Sequence, residues 1–121
     1  MSDKMKTDRE LLELAAKSAG YAIEWREWIT SRVEAFGAIK HAKHEGFWLD
    51  DKQWNPLTDD GDALRLAVKL TLEVDICLSG VAVRTPHGDK ILVDDRDEKC
   101  IYAATRRAIV VAAAAIGEGM K

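Results

Sequence analysis

From Ala108 to Ile116 the chain runs through nine residues without a polar side chain, Ala-Ile-Val-Val-Ala-Ala-Ala-Ala-Ile. The run lies in a longer segment, about 97–117, where Ile101, Ala104, Ala108, Val111, Ala112, Ala115 and Ile116 recur at helical spacing. A helix that is apolar all round has no face to give to water and must be covered on more than one side. The run is far short of the roughly 20 residues that span a bilayer, so protein must supply the cover. An N-terminal helix is one candidate for it and a second copy of the chain is the other. Asp95 or Asp97 reads as the cap of this helix, and Gly117 and Gly119 read as a loosened tail.

The preceding sequence supplies that N-terminal helix. Thr7-Asp8-Arg9-Glu10 has the form of a capping box, Leu11 to Ala19 carry the apolar spacing, and Gly20 is a natural stop. This predicts a helix over 8–19. In 22–42, Trp25, Ile29, Val33 and Phe36 fall at i, i+4, i+8 and i+11, which predicts a second amphipathic helix. Phe47-Trp48-Leu49 and Lys52-Gln53-Trp54 flank Asp50-Asp51 as a small hairpin would. Asp59, Asp60 and Asp62 open a helix at about 59–70, with Ala63, Leu64, Ala67, Val68 and Leu70 as its buried stripe. Leu72, Val74, Ile76 and Leu78 alternate with polar residues, the mark of a strand with one wet face. Short strands at 81–84 and 90–94 follow after turns, giving an antiparallel meander.

The length of 121 residues allows a single domain over 1–121. A 7–20 helix comes first. Residues 21–45 form a helical insertion, and 46–120 hold the hairpin, helix, meander and long last helix. The formal net charge of −3 disfavours a nucleic-acid partner, because phosphate contacts need a basic face. Cys77 and Cys100 are too few for a disulfide framework, and the polar N-terminus lacks an apolar signal segment. Both point to a reducing, cytoplasmic setting with free thiols.

No acid, base or nucleophile stands at a usable catalytic spacing. The three carboxylates of 59–62 lack the alternate order of a calcium loop, so a helix cap accounts for them. His41 and His44 would share one face of a helix, but a zinc site needs a third placed ligand. Cys100, in the first turn of the last helix, has no base beside it in sequence. Arg106 and Arg107 read as ion-pairing residues on a helix face. The sequence thus assigns no catalytic residue, no metal and no cofactor. The surplus of aromatic residues points elsewhere. Trp25 and Trp54 suit a core, whereas Trp28, Phe47 and Trp48 exceed what a small core buries readily. These three are the expected partner-binding residues.

Two stretches carry a resemblance. Trp54-Asn55-Pro56-Leu57-Thr58-Asp59-Asp60-Gly61-Asp62-Ala63-Leu64-Arg65-Leu66-Ala67-Val68-Lys69-Leu70 and Tyr102-Ala103-Ala104-Thr105-Arg106-Arg107-Ala108-Ile109 resemble signatures of small bacteriophage and prophage proteins of the phage ABA-sandwich type. Glu10 to Lys17 is similar to the start of that family. The motif residues are Trp54, Asn55, Pro56, Asp59, Asp60, Asp62, Tyr102, Arg106 and Arg107. The resemblance implies an α-β-α layered domain in a phage accessory protein of unknown function and brings no catalytic residue with it.

Together these readings predict an α+β fold: a three-stranded antiparallel β-meander layered with α-helices as an α-β-α sandwich. They predict a protein-interaction module in the host cytoplasm, without a membrane segment; a nucleic-acid-associated phage protein is the alternative and a small enzyme the second alternative. Its partner would be a host or phage protein, with a homodimer possible.

Overall fold

The computed structural model describes residues 6–94 and 100–120. The chain divides into two compact units, one formed by Met1–Ala22 and Asn55–Lys121, the other by Ile23–Trp54.

The first unit begins with α1, Asp8–Ala19. Its capping box is complete: the Thr7 amide donates to Glu10 Oε1 at 2.9 Å and the Glu10 amide donates to Thr7 Oγ1 at 3.1 Å. Gly20, at φ 75°, ends the helix in the left-handed conformation that a side chain would disfavour. Helix α2 spans Asp60–Lys69, and the meander is β4, Glu73–Cys77, β5, Gly80–Arg84, and β6, Lys90–Asp94. Its strands are antiparallel in the order β4-β5-β6. Helix α3, Ile101–Glu118, completes the unit. Its N-cap is Cys100, whose Sγ accepts from the Ala103 amide at 3.5 Å. The capping role expected of Asp95 or Asp97 falls outside the described residues.

Helix α3 is the hub. It packs against α1, α2 and all three strands of the meander, so the apolar run is covered by protein on several sides, as its composition requires. Ala104, Ala108, Val110, Ala112 and Ala113 are completely buried. The C-terminal turn is not a loosened tail. Gly117 is buried, and a Cβ there would lie 2.0 Å from the Leu14 carbonyl oxygen. Glycine lets the backbones of α1 and α3 approach closely at that point.

The α+β class and the meander agree with the sequence reading, but the layering is not helix–sheet–helix. The β-register places Val74, Ile76, Val81, Val83, Ile91 and Val93 on one face, and the buried Val81 and Val83 lie on it. The opposite face carries Glu73, Asp75, Arg84, Lys90 and Leu92, all exposed. Among the described residues all the helical cover is therefore on one side. Charged residues suit the other face to solvent.

The second unit overturns the helix expected over 22–42. Strand β1, Glu24–Val33, pairs antiparallel with β2, Ile39–Leu49, along their whole length, from Glu24 opposite Trp48 to Val33 opposite Ile39. A helical insertion at 21–45 is thus replaced by a long β-hairpin. Trp, Ile, Thr and Val make up half of β1, and these residues favour a pleated surface. The short β3, Lys52–Gln53, pairs with the end of β2 through the expected turn. Asp50 and Asp51 both take positive φ, 52° and 66°, as a two-residue hairpin turn requires.

Candidate functional site

Three groups of residues stand out, and each is built differently. The first is the base of the β1–β2 hairpin. Cross-strand partners share a face, so Arg26, Trp28, Thr30 and Arg32 of β1 lie on the same side as Lys40, His44 and Trp48 of β2. Trp28 meets Trp48 edge-on at 5.7 Å between ring centroids and stacks on His44 at 5.5 Å. The Arg26 guanidinium covers Trp48 at 4.8 Å, a cation–π distance. Glu24 at 2.9 Å and Asp51 at 3.5 Å hold that guanidinium in place. The hydrogen bond to Glu24, the largest cause, pushes the arginine above its ordinary pKa, with Asp51 adding to it. Trp48 Nε1 is buried without a hydrogen-bond partner.

Trp28 and Trp48 are therefore half-buried members of one cluster. Phe47 is not part of it. Alternation along β2 turns Phe47 to the other face, where it meets Trp25 edge-on at 4.8 Å and is buried. As a partner-contact residue Phe47 is thus corrected to a packing residue. The paired histidines also separate. On a strand, three residues apart means opposite faces, so His44 bonds Thr30 at 2.9 Å while His41 bonds Ser31 at 2.7 Å.

The second group is the hairpin tip. A single turn of 3₁₀-helix, Ala35–Gly37, joins the strands, and the Glu34 amide donates to the Ala38 carbonyl at 2.6 Å across it. Phe36 takes a left-handed φ of 66° and is fully open to solvent at 106% relative exposure. Val33 at 72% and Ile39 at 61% are paired beside it, and Ile29 is exposed on the same face. The sequence reading missed this feature, because it placed Val33 and Phe36 on the buried stripe of a helix. The signal that could have found it is Gly37 following a segment that holds Trp, Ile, Thr and Val.

The third group holds most of the motif residues, and the fold brings the two signatures together. Asn55 Oδ1 accepts from the Leu57 amide at 3.0 Å, and the Asn55 amide donates to Asp62 Oδ2 at 2.9 Å. Pro56 is fully buried. Asp59 is the N-cap of α2, accepting the Asp62 amide at 2.8 Å. Arg106 of α3 clamps this loop: Nε donates to the Leu57 carbonyl at 2.8 Å and Nη1 to Asp60 at 2.7 Å. Asp62 also bonds Arg65 at 2.8 Å, the largest cause of that arginine's raised pKa. Arg107 pairs with Asp8 of α1 at 3.2 Å. Trp54, buried, donates its amide to the Phe47 carbonyl at 2.9 Å. These roles are caps and clamps. Tyr102 differs, since it is exposed.

Tyr102 borders a groove of ≈ 450 Å³ between α2, β4 and α3, lined also by Leu64, Ala67, Val74, Ile76 and Ile109. Here the α2 stripe needs correction. Ala63, Leu66 and Ala67 are buried, while Leu64 and Val68 are exposed. On β4, Ile76 is exposed, and Leu78 just beyond the strand is fully so.

Cys77 and Cys100 are both free and exposed. Among the described residues no three His, Cys, Asp or Glu side chains lie close enough together to hold a metal ion. No helix among them is long and apolar enough to cross a membrane. No family model, no curated protein and no solved structure matches this chain.

Proposed function

We propose that this chain is a phage or prophage accessory protein that acts in the host cytoplasm as a protein-interaction module, with no chemistry of its own. The phage origin rests on the resemblance of the 54–70 and 102–109 stretches. The interaction reading rests on one observation, the apolar tip of the β1–β2 hairpin. Phe36, Val33 and Ile39 are large, exposed and adjacent, an arrangement that water disfavours and a partner's pocket would relieve. The half-buried Trp28–Trp48 cluster further down the hairpin is rigid aromatic surface of the kind that anchors partners. The partner is a host or phage protein, and holding it would modulate a host process or defence.

The test is affinity purification from infected cells with mass spectrometry, run with wild type and with Phe36→Ser/Ile39→Ser side by side. A host or phage protein retained by wild type and lost from the double variant, at unchanged melting temperature, supports the reading. Equal capture by both removes the tip from the function. Trp28→Ala/Trp48→Ala then tests the cluster in the same way.

A second reading has its own observation. The hairpin face bearing Trp28 and Trp48 also carries Arg26, paired with Glu24 and Asp51, Arg32, paired with Glu34, and Lys40, a mix of cation and aromatic of the kind that single-stranded nucleic acid uses. Oligonucleotide binding that weakens steeply with salt would favour it over the protein partner.

A further inference from the structure

Among the described residues, strand β4 is an edge of its sheet and pairs with β5 alone. Its sequence, Glu-Val-Asp-Ile-Cys, has no lysine, proline or bulge to discourage another strand from joining it. Apolar side chains that period and composition would bury stand exposed around that edge. Ile76 is 60% exposed and Leu78 102%. Leu64 and Val68, one helical turn apart on α2, are exposed on the element that forms the other wall of the groove beside β4. The exposed apolar surface and the open backbone edge thus adjoin each other within one unit.

We propose that this surface is closed by a second copy of the chain, β4 against β4 in antiparallel pairing about a two-fold axis at Ile76. A two-fold axis normal to the sheet keeps helices on one face of both copies, so each residue must oppose one of like parity. Three registers then centre on the middle of the strand. Centred on Val74, Glu73 opposes Asp75 of the partner. Centred on Asp75, that residue opposes itself. Both place like charges directly across, which destabilises a pair. Centred on Ile76, the isoleucine opposes itself, Val74 opposes Leu78, and Asp75 opposes Cys77. That register alone sets no charge directly against its like, and it sets the exposed Ile76 against itself and the exposed Leu78 against the half-buried Val74. The product is a continuous six-stranded sheet. The patch is self-complementary, as an isologous dimer requires, and an extended peptide from another protein would not need that symmetry. On the helical face, the same axis turns the groove of one copy toward the Leu64 and Val68 side of the other.

The register makes a specific chemical prediction. Directly opposed strand residues have Cα atoms about 4.5–5.5 Å apart, within the span of a disulfide. In a Cys100→Ser background, Asp75→Cys should therefore yield a disulfide-linked dimer under mild oxidation. Adding Cys77→Ser should abolish that cross-link, because Cys77 of the partner is its mate. Asp75 is exposed, and far-ultraviolet circular dichroism verifies that each variant is folded. In parallel, wild type should sediment as a dimer and Ile76→Lys as a folded monomer. A cross-link that persists without Cys77 overturns the register. A wild-type monomer in sedimentation overturns the dimer, and a dimer indifferent to Ile76→Lys overturns its placement on β4.

Discussion

Along α3 most of the completely buried side chains are alanines, whereas in the β1–β2 hairpin the large apolar side chains near the tip have the least cover. Ala104, Ala108, Ala112 and Ala113 are completely buried along α3, and Gly117 lies against the backbone of α1. Phe36, Val33 and Ile39 stand in solvent at the far end of the hairpin. Small residues let helices approach closely, and close approach gives dispersion contacts with little tolerance for added volume. The hairpin inverts this. Its tip adds little to stability and is free to be selected for what it touches.

Substitutions at the two places should accordingly behave differently. The largest effect is expected at Gly117→Ala. The added methyl would meet a backbone carbonyl that cannot rotate aside, and overpacking of this kind costs about 1–3 kcal/mol. Urea denaturation should show the midpoint falling accordingly; an unchanged midpoint would mean that α1 and α3 are not packed as closely as described. Asp59→Ala should cost about 0.5–2 kcal/mol in the same assay, the usual value of an N-cap. Millimolar calcium or magnesium should leave the melting temperature of wild type where it is.

Thr71 offers a change of opposite sign. It sits at φ 56° just past α2, where the Leu72 amide reaches the Ala67 carbonyl. This is the position that glycine usually fills at a helix end, and left-handed backbone costs a side-chain-bearing residue about 1–2 kcal/mol. Glycine's greater freedom in the unfolded chain offsets part of that relief. Thr71→Gly should therefore raise stability by up to about 1 kcal/mol, and a loss would show that the threonine side chain makes a compensating contact. The smallest effect belongs to the hairpin tip. Phe36→Ser/Ile39→Ser should shift stability by no more than about 0.5 kcal/mol, as exposed sites do. A larger loss would make the tip part of the scaffold.

What could be read from the sequence depended on how local the signal was. The Thr7 capping box, Gly20, the acidic opening at Asp59, Asp60 and Asp62 and the alternation from Leu72 to Leu78 are local, and each marks an element that forms. The hairpin was missed for a definable reason. Trp25, Ile29 and Val33 are spaced by four, and four is close to a helical turn and also two strand repeats. Composition favoured the strand, since β1 is rich in Trp, Ile, Thr and Val. The partner strand, which decides the matter, begins only after Gly37. The same non-locality separated Phe47 from Trp48: their sequence proximity suggested one surface, but alternation put them on two. Leu64 and Val68 have helical spacing suited to burial. Whether a neighbour covers them is a tertiary fact, which no pattern within α2 records.

The place of α3 in the chain has a consequence for synthesis. Every other described element precedes it, yet α1, α2 and the meander all pack on it. Arg107 and its partner Asp8 are 99 residues apart. On the ribosome, α1, α2 and the strands therefore emerge before the surface that buries them exists, and their apolar faces must wait, shielded by chaperones or by one another. The β1–β2 hairpin has no such wait, because its contacts close within its own 26 residues, Glu24 to Leu49. The element proposed to meet the partner can be complete while the element that stabilises the rest is still being made.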